Sequence, residues 1–244
     1  YLRKIMYSNC VLTIGGSDSG GGAGIQADLR TFMALKVHGC SAVTCVTAQN
    51  SLVVNDVEAI NTNIIKSQID VVFEDFKIRA CKTGMLLNEE IIFETSKTLN
   101  KYKIPKIIDP VMVSRSGATL IEKQAINAYK EILIPQAEVI TPNIFEASLL
   151  SNIVINNKED IETAGRKLLN LGSQSVLIKG GGLNKFKGKD FFTNHEGVSR
   201  WLISEPIKTL NSHGSGCTLS AAICGHRALG FNLLDAIERS KIFV

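Results

Sequence analysis

Cys10-Val-Leu-Thr-Ile-Gly-Gly-Ser-Asp-Ser-Gly-Gly-Gly-Ala-Gly-Ile-Gln-Ala-Asp-Leu-Arg-Thr-Phe-Met-Ala-Leu35 sets an apolar run, a glycine-rich turn and an amphipathic segment end to end. The same unit recurs along the chain. Short apolar runs at Cys10–Ile14, Ser41–Thr47, Ile78–Thr83, Lys106–Ile108, Glu138–Thr141 and Ser175–Ile178 read as strands. Helical spacing occupies Gly24–Leu35, Asn63–Glu74, Asn88–Leu99, Glu122–Ile132, Asn143–Leu150 and Lys158–Leu169. Strands that are apolar throughout, separated by amphipathic helices, predict a mostly parallel sheet with helices on both faces, a three-layer α/β/α fold. Asp190–Thr193 and Ser199–Ile203 read as a hairpin near the sheet edge, and Ser215–Leu229 and Leu233–Phe243 as two closing helices.

No repeat, low-complexity stretch or linker interrupts the pattern, so one α/β domain spanning residues 1–244 is expected. Ile242-Phe243-Val244 falls inside an apolar-faced helix with no stop signal, so that helix is expected to be incomplete. Of the 244 residues 45% are hydrophobic, enough for a sizeable core. The net charge of +4 comes without blocks of like charge, which argues against nucleic acid or a membrane surface as partner. Six cysteines form no Cys-x-x-Cys and no apolar run reaches membrane-spanning length. A cytoplasmic protein is expected, or an organelle protein whose targeting segment has been removed.

Two glycine turns carry the chemistry. Gly15–Gly24 holds six glycines in ten positions, which lets backbone approach a ligand closely. It lacks a clean Gly-x-Gly-x-x-Gly, the second strand ends in Thr47-Ala-Gln49 without an acid, and no Gly-Lys-Ser/Thr follows, so dinucleotide and Walker A readings fail. The second turn, Asn211-Ser-His-Gly-Ser-Gly-Cys-Thr-Leu-Ser-Ala-Ala222, runs directly into a helix. A helix starting in glycines presents unpaired N–H groups to an anion. Cys217 sits on that first turn, where the same field is expected to lower a thiol's pKa. Phosphoryl or acyl transfer follows. His213 is read as turn structure rather than a partner of Cys217.

Further candidates lie at strand ends, where open α/β sheets bind ligands. Gln49 and Asn50 follow the second strand, and an amide there can donate to and accept from a heteroaromatic ring. Asp109 follows Lys106–Ile108. Asn143 and Glu146 share a helix face, equally suited to a capping box and to Mg²⁺. Lys179-Gly-Gly-Gly182 suits a phosphate. Asp28 is open between helix-end duty and ligand contact.

Together Gly16–Asp28, Thr47-Ala-Gln-Asn50, Lys82-Thr-Gly-Met85, Asp109-Pro-Val-Met112, Thr141-Pro-Asn-x-x-Glu146, Lys179-Gly-Gly181 and His213–Ala222 resemble the hydroxymethylpyrimidine/phosphomethylpyrimidine kinases of thiamine biosynthesis, of the ribokinase-like superfamily. The resemblance runs in order from about residue 10 to the end. It implies ATP and Mg²⁺, a small pyrimidine substrate and a homodimer. It sets the pyrimidine near Gly16, Ala23, Asp28, Gln49, Met85 and Cys217, with Asp28 and Gln49 on its amino edge. It sets Asp109 and Glu146 at the magnesium–phosphate region, reaching the metal through water, Asn143, Lys179 and Lys241 at the nucleotide, and Gly214, Ser215, Gly216 and Cys217 at the anion hole and catalytic position. Some bacterial pyridoxal kinases look very similar but tend to carry methionine at the Gln49 position, so Gln49 favours the pyrimidine. A relative that kept the fold and only binds pyrimidine should have lost Asp109, Glu146 or Cys217, and none is missing.

Overall fold

A computed structural model describes residues 9–112, 121, 123–205, 207, 209 and 212–244. In chain order the elements are β1 (Cys10–Asp18), α1 (Gly24–Ala34), β2 (His38–Gln49), β3 (Val54–Ala59), α2 (Thr62–Asp75), β4 (Ile78–Thr83), α3 (Glu89–Leu99), β5 (Lys106–Ile108), α4 (Lys123–Ala128), β6 (Val139–Ile140), α5 (Ile144–Ser151), α6 (Lys158–Leu169), β7 (Ser175–Lys179), β8 (Lys189–Asn194), β9 (Ser199–Ile203), α7 (Ser215–Ala228) and α8 (Leu233–Phe243). The strands form one sheet in the order β3-β2-β1-β4-β5-β6-β7-β8-β9. Strands β2, β1, β4, β5, β6 and β7 run parallel, while β3 at one edge and β8 and β9 at the other are antiparallel.

The parallel strands carry apolar residues on both faces because consecutive side chains enter two different cores. Leu12, Cys81, Ile108, Ile140 and Ile178 join the core shared with α2 to α6. Their chain neighbours Val11, Ala80, Ile107, Val139 and Leu177 join the core shared with α1, α7 and α8. Each wholly buried aliphatic side chain contributes about 1.5–3 kcal/mol, so a polar residue in either register would cost heavily. The predicted hairpin is β8–β9, as its spacing indicated.

Two elements differ from the sequence reading. Strand β3 was not predicted: it reads Val-Asn-Asp-Val-Glu-Ala and is almost entirely exposed, so no buried face marks it. The helix expected over Glu122–Ile132 runs from Lys123, opens into a π-helical turn at Tyr129–Leu133, and closes in a tighter turn at Ile134–Gln136 that contains Pro135. Glu122, Asn211 and the basic N-terminal residues lie outside the described residues.

Candidate active site

The carboxyl ends of β1, β4, β5, β6 and β7 share one edge of the sheet, and the predicted residues gather there. The first turn is shaped by Asp18, at the end of β1. Its carboxylate accepts the Ala23 N–H at 2.7 Å and the Gly20 N–H at 2.9 Å, folding the glycine run back on itself. His213 Nε2 reaches the same carboxylate at 3.2 Å. Burial opposes the charge on Asp18, but the Ala23 N–H, His213 and the Gly20 N–H outweigh it and hold the carboxyl below its ordinary range. His213 thus joins the two glycine turns and bonds Asp18, as expected of a turn residue.

Gly214 caps α7 at φ +79°, and a Cβ there would stand 1.9 Å from the Gly22 carbonyl oxygen. Only glycine fits, so the second turn lies against the first. Ala23 comes next to it: its Cα is 3.3 Å from the same point. Ser215 opens α7, its hydroxyl donating to the Ser212 carbonyl at 3.0 Å. The N–H groups of the first turn, Gly216 and Cys217 among them, lie at the positive end of the helix, where no intrahelical carbonyl pairs them.

Lys179, the last residue of β7, bridges to that turn. Its Nζ lies 2.8 Å from Asp109 Oδ1, and a Cβ on Gly216 would come within 3.2 Å of it. The other oxygen of Asp109 accepts the Ser220 hydroxyl at 2.9 Å. Burial opposes the Lys179 charge, yet Asp109 and Glu146 raise its pKa above the ordinary lysine value. Asn143 and Glu146 form a complete capping box on α5: Asn143 Oδ1 accepts the Glu146 N–H at 2.9 Å and Glu146 Oε2 accepts the Asn143 N–H at 2.8 Å. Glu146 Oε1 also accepts the Met112 N–H at 3.3 Å. Burial, opposed by Lys179 and aided by Asp109, pushes the Glu146 carboxyl up to about 7.

This chemistry bears on a divalent cation. Among the described residues no three acidic, histidine or cysteine side chains gather as ligands. All four oxygens of Asp109 and Glu146 already accept a proton donor. Such a pair suits water-mediated contact with a cation carried by phosphates, which is the way Mg²⁺ is usually held at nucleotide sites.

Deeper in, Asp28 corrects an expectation. The resemblance sets its carboxylate on the pyrimidine edge. Here both oxygens lie on Lys82 Nζ, at 2.8 and 2.9 Å, and Oδ2 accepts the Thr13 hydroxyl at 2.6 Å, with Asp28 and Lys82 each 1% exposed. Cys217 corrects another. The helix field was expected to lower its thiol pKa, but burial raises it, against the opposing pull of Lys82 and of the Gly24 N–H. Desolvation outweighs the helix terminus because the thiol faces the interior and the Asp28 and Asp109 charges as well as the open edge.

The remaining candidates line the first turn. A Cβ on Gly16 would meet Cys45 Sγ at 2.8 Å and the Met85 Cβ at 3.9 Å, so Gly16 and Met85 form adjoining walls. Gln49 is half-buried, its Oε1 accepting the Thr47 hydroxyl at 3.2 Å, while its backbone is tied to Ser19 through two 2.8 Å bonds. Lys241 is set on Asp190 at 2.6 Å, whose other oxygen accepts the Gly180 N–H at 2.9 Å. It therefore braces the loop that carries Lys179.

Sequence reasoning passed over Asp18, Ser220 and Lys82 as individual residues. Only Lys82 left a signal: a lysine inside an otherwise buried strand needs a counter-charge.

A glycine-capped helix N-terminus beside a strand-end lysine, set against a second glycine loop at the same edge of a mostly parallel sheet, is the arrangement of a small-molecule kinase of the ribokinase-like fold. The family model for phosphomethylpyrimidine kinase matches residues 18–244. A hydroxymethylpyrimidine/phosphomethylpyrimidine kinase of Synechococcus elongatus is 50% identical over 234 residues, 96% of this chain and 89% of that one. The crystal structure of a phosphomethylpyrimidine kinase from Clostridium difficile 630 superposes with a TM-score of 0.86 at 43% identity, covering 97% of both chains. An ADP complex of Bacillus subtilis pyridoxal kinase superposes at 0.88 with 38% identity, covering 97% of this chain and 90% of that one. The chain belongs to the phosphomethylpyrimidine kinase family.

Proposed function

We propose that this protein transfers the γ-phosphoryl group of ATP to the CH₂OH of 4-amino-5-hydroxymethyl-2-methylpyrimidine, and a second onto the resulting monophosphate. The observation that carries this reading is the approach of Lys179 to the first turn of α7, with glycine required at 214 and close contact at 216. Phosphoryl transfer needs alignment and charge stabilisation more than covalent chemistry. The Gly214–Cys217 turn offers N–H donors to the charge that develops on the transferring group. Lys179 and Asn143 face the nucleotide phosphates, and Lys241 holds the Lys179 loop in place. Mg²⁺ would neutralise phosphate charge, with Asp109 and Glu146 reaching it through water.

Gly16, Ala23, Gln49 and Met85 enclose the pyrimidine, and Cys217 orients the alcohol and takes its proton. Asp28 shapes this wall through Lys82 rather than by contact. In the transfer the alcohol O–H bond breaks, the O–P bond forms, and the bond from phosphorus to the ADP oxygen breaks. Release of ADP on adding the pyrimidine alcohol to the protein with ATP and Mg²⁺ tests the assignment.

Gln49 gives a selectivity prediction. Gln49→Met is expected to lower kcat/KM for the pyrimidine and raise it for pyridoxal, because the amide can pair with the amino edge and a thioether cannot. An unchanged ratio of the two kcat/KM values would refute the selectivity argument.

The same reading extends to assembly and place. Val46 on β2, Val54 on the edge strand β3, and Leu52 and Val53 in the connection between them are all exposed. Exposed apolar side chains gathered at one sheet edge support a homodimer. Light scattering should return twice the mass of one chain, and a monomer at micromolar concentration would contradict it. Among the described residues no helix is long and apolar enough to cross a membrane. A cytoplasmic location is proposed separately, from six free cysteines that suit a reducing compartment.

A further inference from the structure

Asp18 and His213 stand 195 positions apart in the chain and meet where the two glycine turns touch. The contact is built from both sides. Asp18 is 3% exposed, and Gln26 of α1 holds its backbone: Gln26 Oε1 accepts the Asp18 N–H at 2.9 Å, while Nε2 donates to the Ser17 hydroxyl at 2.8 Å. One carboxylate oxygen of Asp18 accepts the Gly20 N–H. The other accepts the Ala23 N–H and lies 3.2 Å from His213 Nε2. A carboxylate only accepts, so the hydrogen of this last bond sits on Nε2, and a neutral imidazole can supply it.

Glycine at 22 makes room for the ring. A Cβ there would meet His213 Cδ2 at 2.4 Å, so the imidazole lies against bare backbone. Gly22 is not among the glycines with positive φ, so the ring requires glycine and the backbone conformation does not. On the other side the Gly22 carbonyl excludes a side chain at 214. The seam between the turns therefore consists of one side-chain hydrogen bond and two glycine contacts. In the proposed reaction the turns have different duties: the first, with Gly16 and Ala23, bounds the acceptor, and the second offers N–H donors to the transferring group.

We propose that His213 is a positioning residue: its Nε2–H, bonded to Asp18, latches the acceptor turn to the anion turn and so holds the acceptor oxygen in line with the phosphoryl group. This rests on the duties proposed above for the two turns. Each turn still binds its own ligand when the latch is open, but the two ligands lose their alignment. Misplacing reacting atoms by about 1 Å can cost 10²-fold in rate. Loss of the latch should therefore appear in kcat rather than in KM.

Steady-state kinetics of His213→Ala, His213→Gln and Gly22→Ala with the pyrimidine alcohol, ATP and Mg²⁺ test this. His213→Ala should lose about 10- to 100-fold in kcat, with KM for both substrates close to that of the parent protein. His213→Gln keeps an N–H donor and should recover most of the loss. Gly22→Ala leaves the histidine in the chain but pushes its ring off Asp18, so it should match His213→Ala. The double variant should be no worse than either single one, because both remove the same bond. An undiminished kcat in His213→Ala, a loss carried by KM, a glutamine variant no better than alanine, or additive losses overturn the proposal. Should His213→Ala fail to fold, Gly22→Ala is judged alone by the same split between kcat and KM. Amide hydrogen exchange of the ligand-free protein reads the latch without any chemistry. In His213→Ala the Gly20 and Ala23 amides should exchange faster, although the substitution lies in the other turn, and unchanged exchange there overturns the latch. A parent protein that released no ADP would defeat the kinase reading alone and leave the exchange measurement standing.

Discussion

Cys217→Ala is expected to reduce kcat for transfer to the pyrimidine alcohol by about 10²–10⁴-fold, the range typical of a lost general base, and to harm transfer to the monophosphate far less. The reasoning is chemical. An alcohol must give up a proton as its oxygen attacks, whereas a phosphate monoester already carries nucleophilic oxyanions. The substitution itself is mild for the fold: Cys217 is half-buried on the first turn of α7, and alanine is a good helix former. The N–H donors of the turn remain, and Lys179 stays on Asp109. Separate single-turnover measurements with each acceptor check this. Equal losses in both would remove the base role and leave Cys217 a purely positional residue.

Lys179→Met should behave differently. Both transfers are expected to lose about 10²–10³ in kcat, the loss seen when one preorganised donor to a developing anion is removed. On the proposed placement the lysine faces the phosphates of ATP whichever acceptor is bound, so the ratio of the two rates should stay as in the parent protein. A second consequence follows from burial. Asp109, 1% exposed, would lose its cation. Removing one partner of a buried pair costs about 3–5 kcal/mol. Asp109 and Glu146 would then repel without a compensating charge, and Glu146, already pushed up to about 7, would hold its proton more firmly. A lowered Tm together with an unchanged rate ratio is the expected pair of results. A variant that lost only one of the two transfers would contradict this placement of Lys179.

Much of the fold was legible because burial leaves a pattern. The central strands were visible as unbroken apolar runs, and the structure shows the cause: Val11 and Leu12, or Ile107 and Ile108, enter opposite cores. The capping box at Asn143 and Glu146 was legible as one of two readings. What stayed hidden lacks a periodic signature. Strand β3 has no buried face to announce it. The π-helical turn at Tyr129 is set by packing: the Tyr129 hydroxyl donates to the Gly84 carbonyl at 3.2 Å, a contact between distant parts of the chain.

The site divides in the same way. Gly16, Asp109, Glu146, Lys179, Gly214 and Gly216 could be named because glycine at a turn and charge at a strand end are local signals. The Lys82–Asp28 pair could not, since its partners lie 54 positions apart and meet only through the packing of β4 against α1 and α7. The thiol of Cys217 was misjudged for a related reason. A helix N-terminus is visible in sequence, whereas the depth of the sulfur and the carboxylates that face it are not.

The claim that joins these observations is that one cradle serves two successive transfers to a pyrimidine. ADP release measured side by side with 4-amino-5-hydroxymethyl-2-methylpyrimidine, its monophosphate and pyridoxal, each with ATP and Mg²⁺, tests it most directly. The account predicts turnover with the pyrimidine and with its monophosphate, each at higher kcat/KM than with pyridoxal. Turnover confined to pyridoxal, or no ADP release with either pyrimidine, would contradict it.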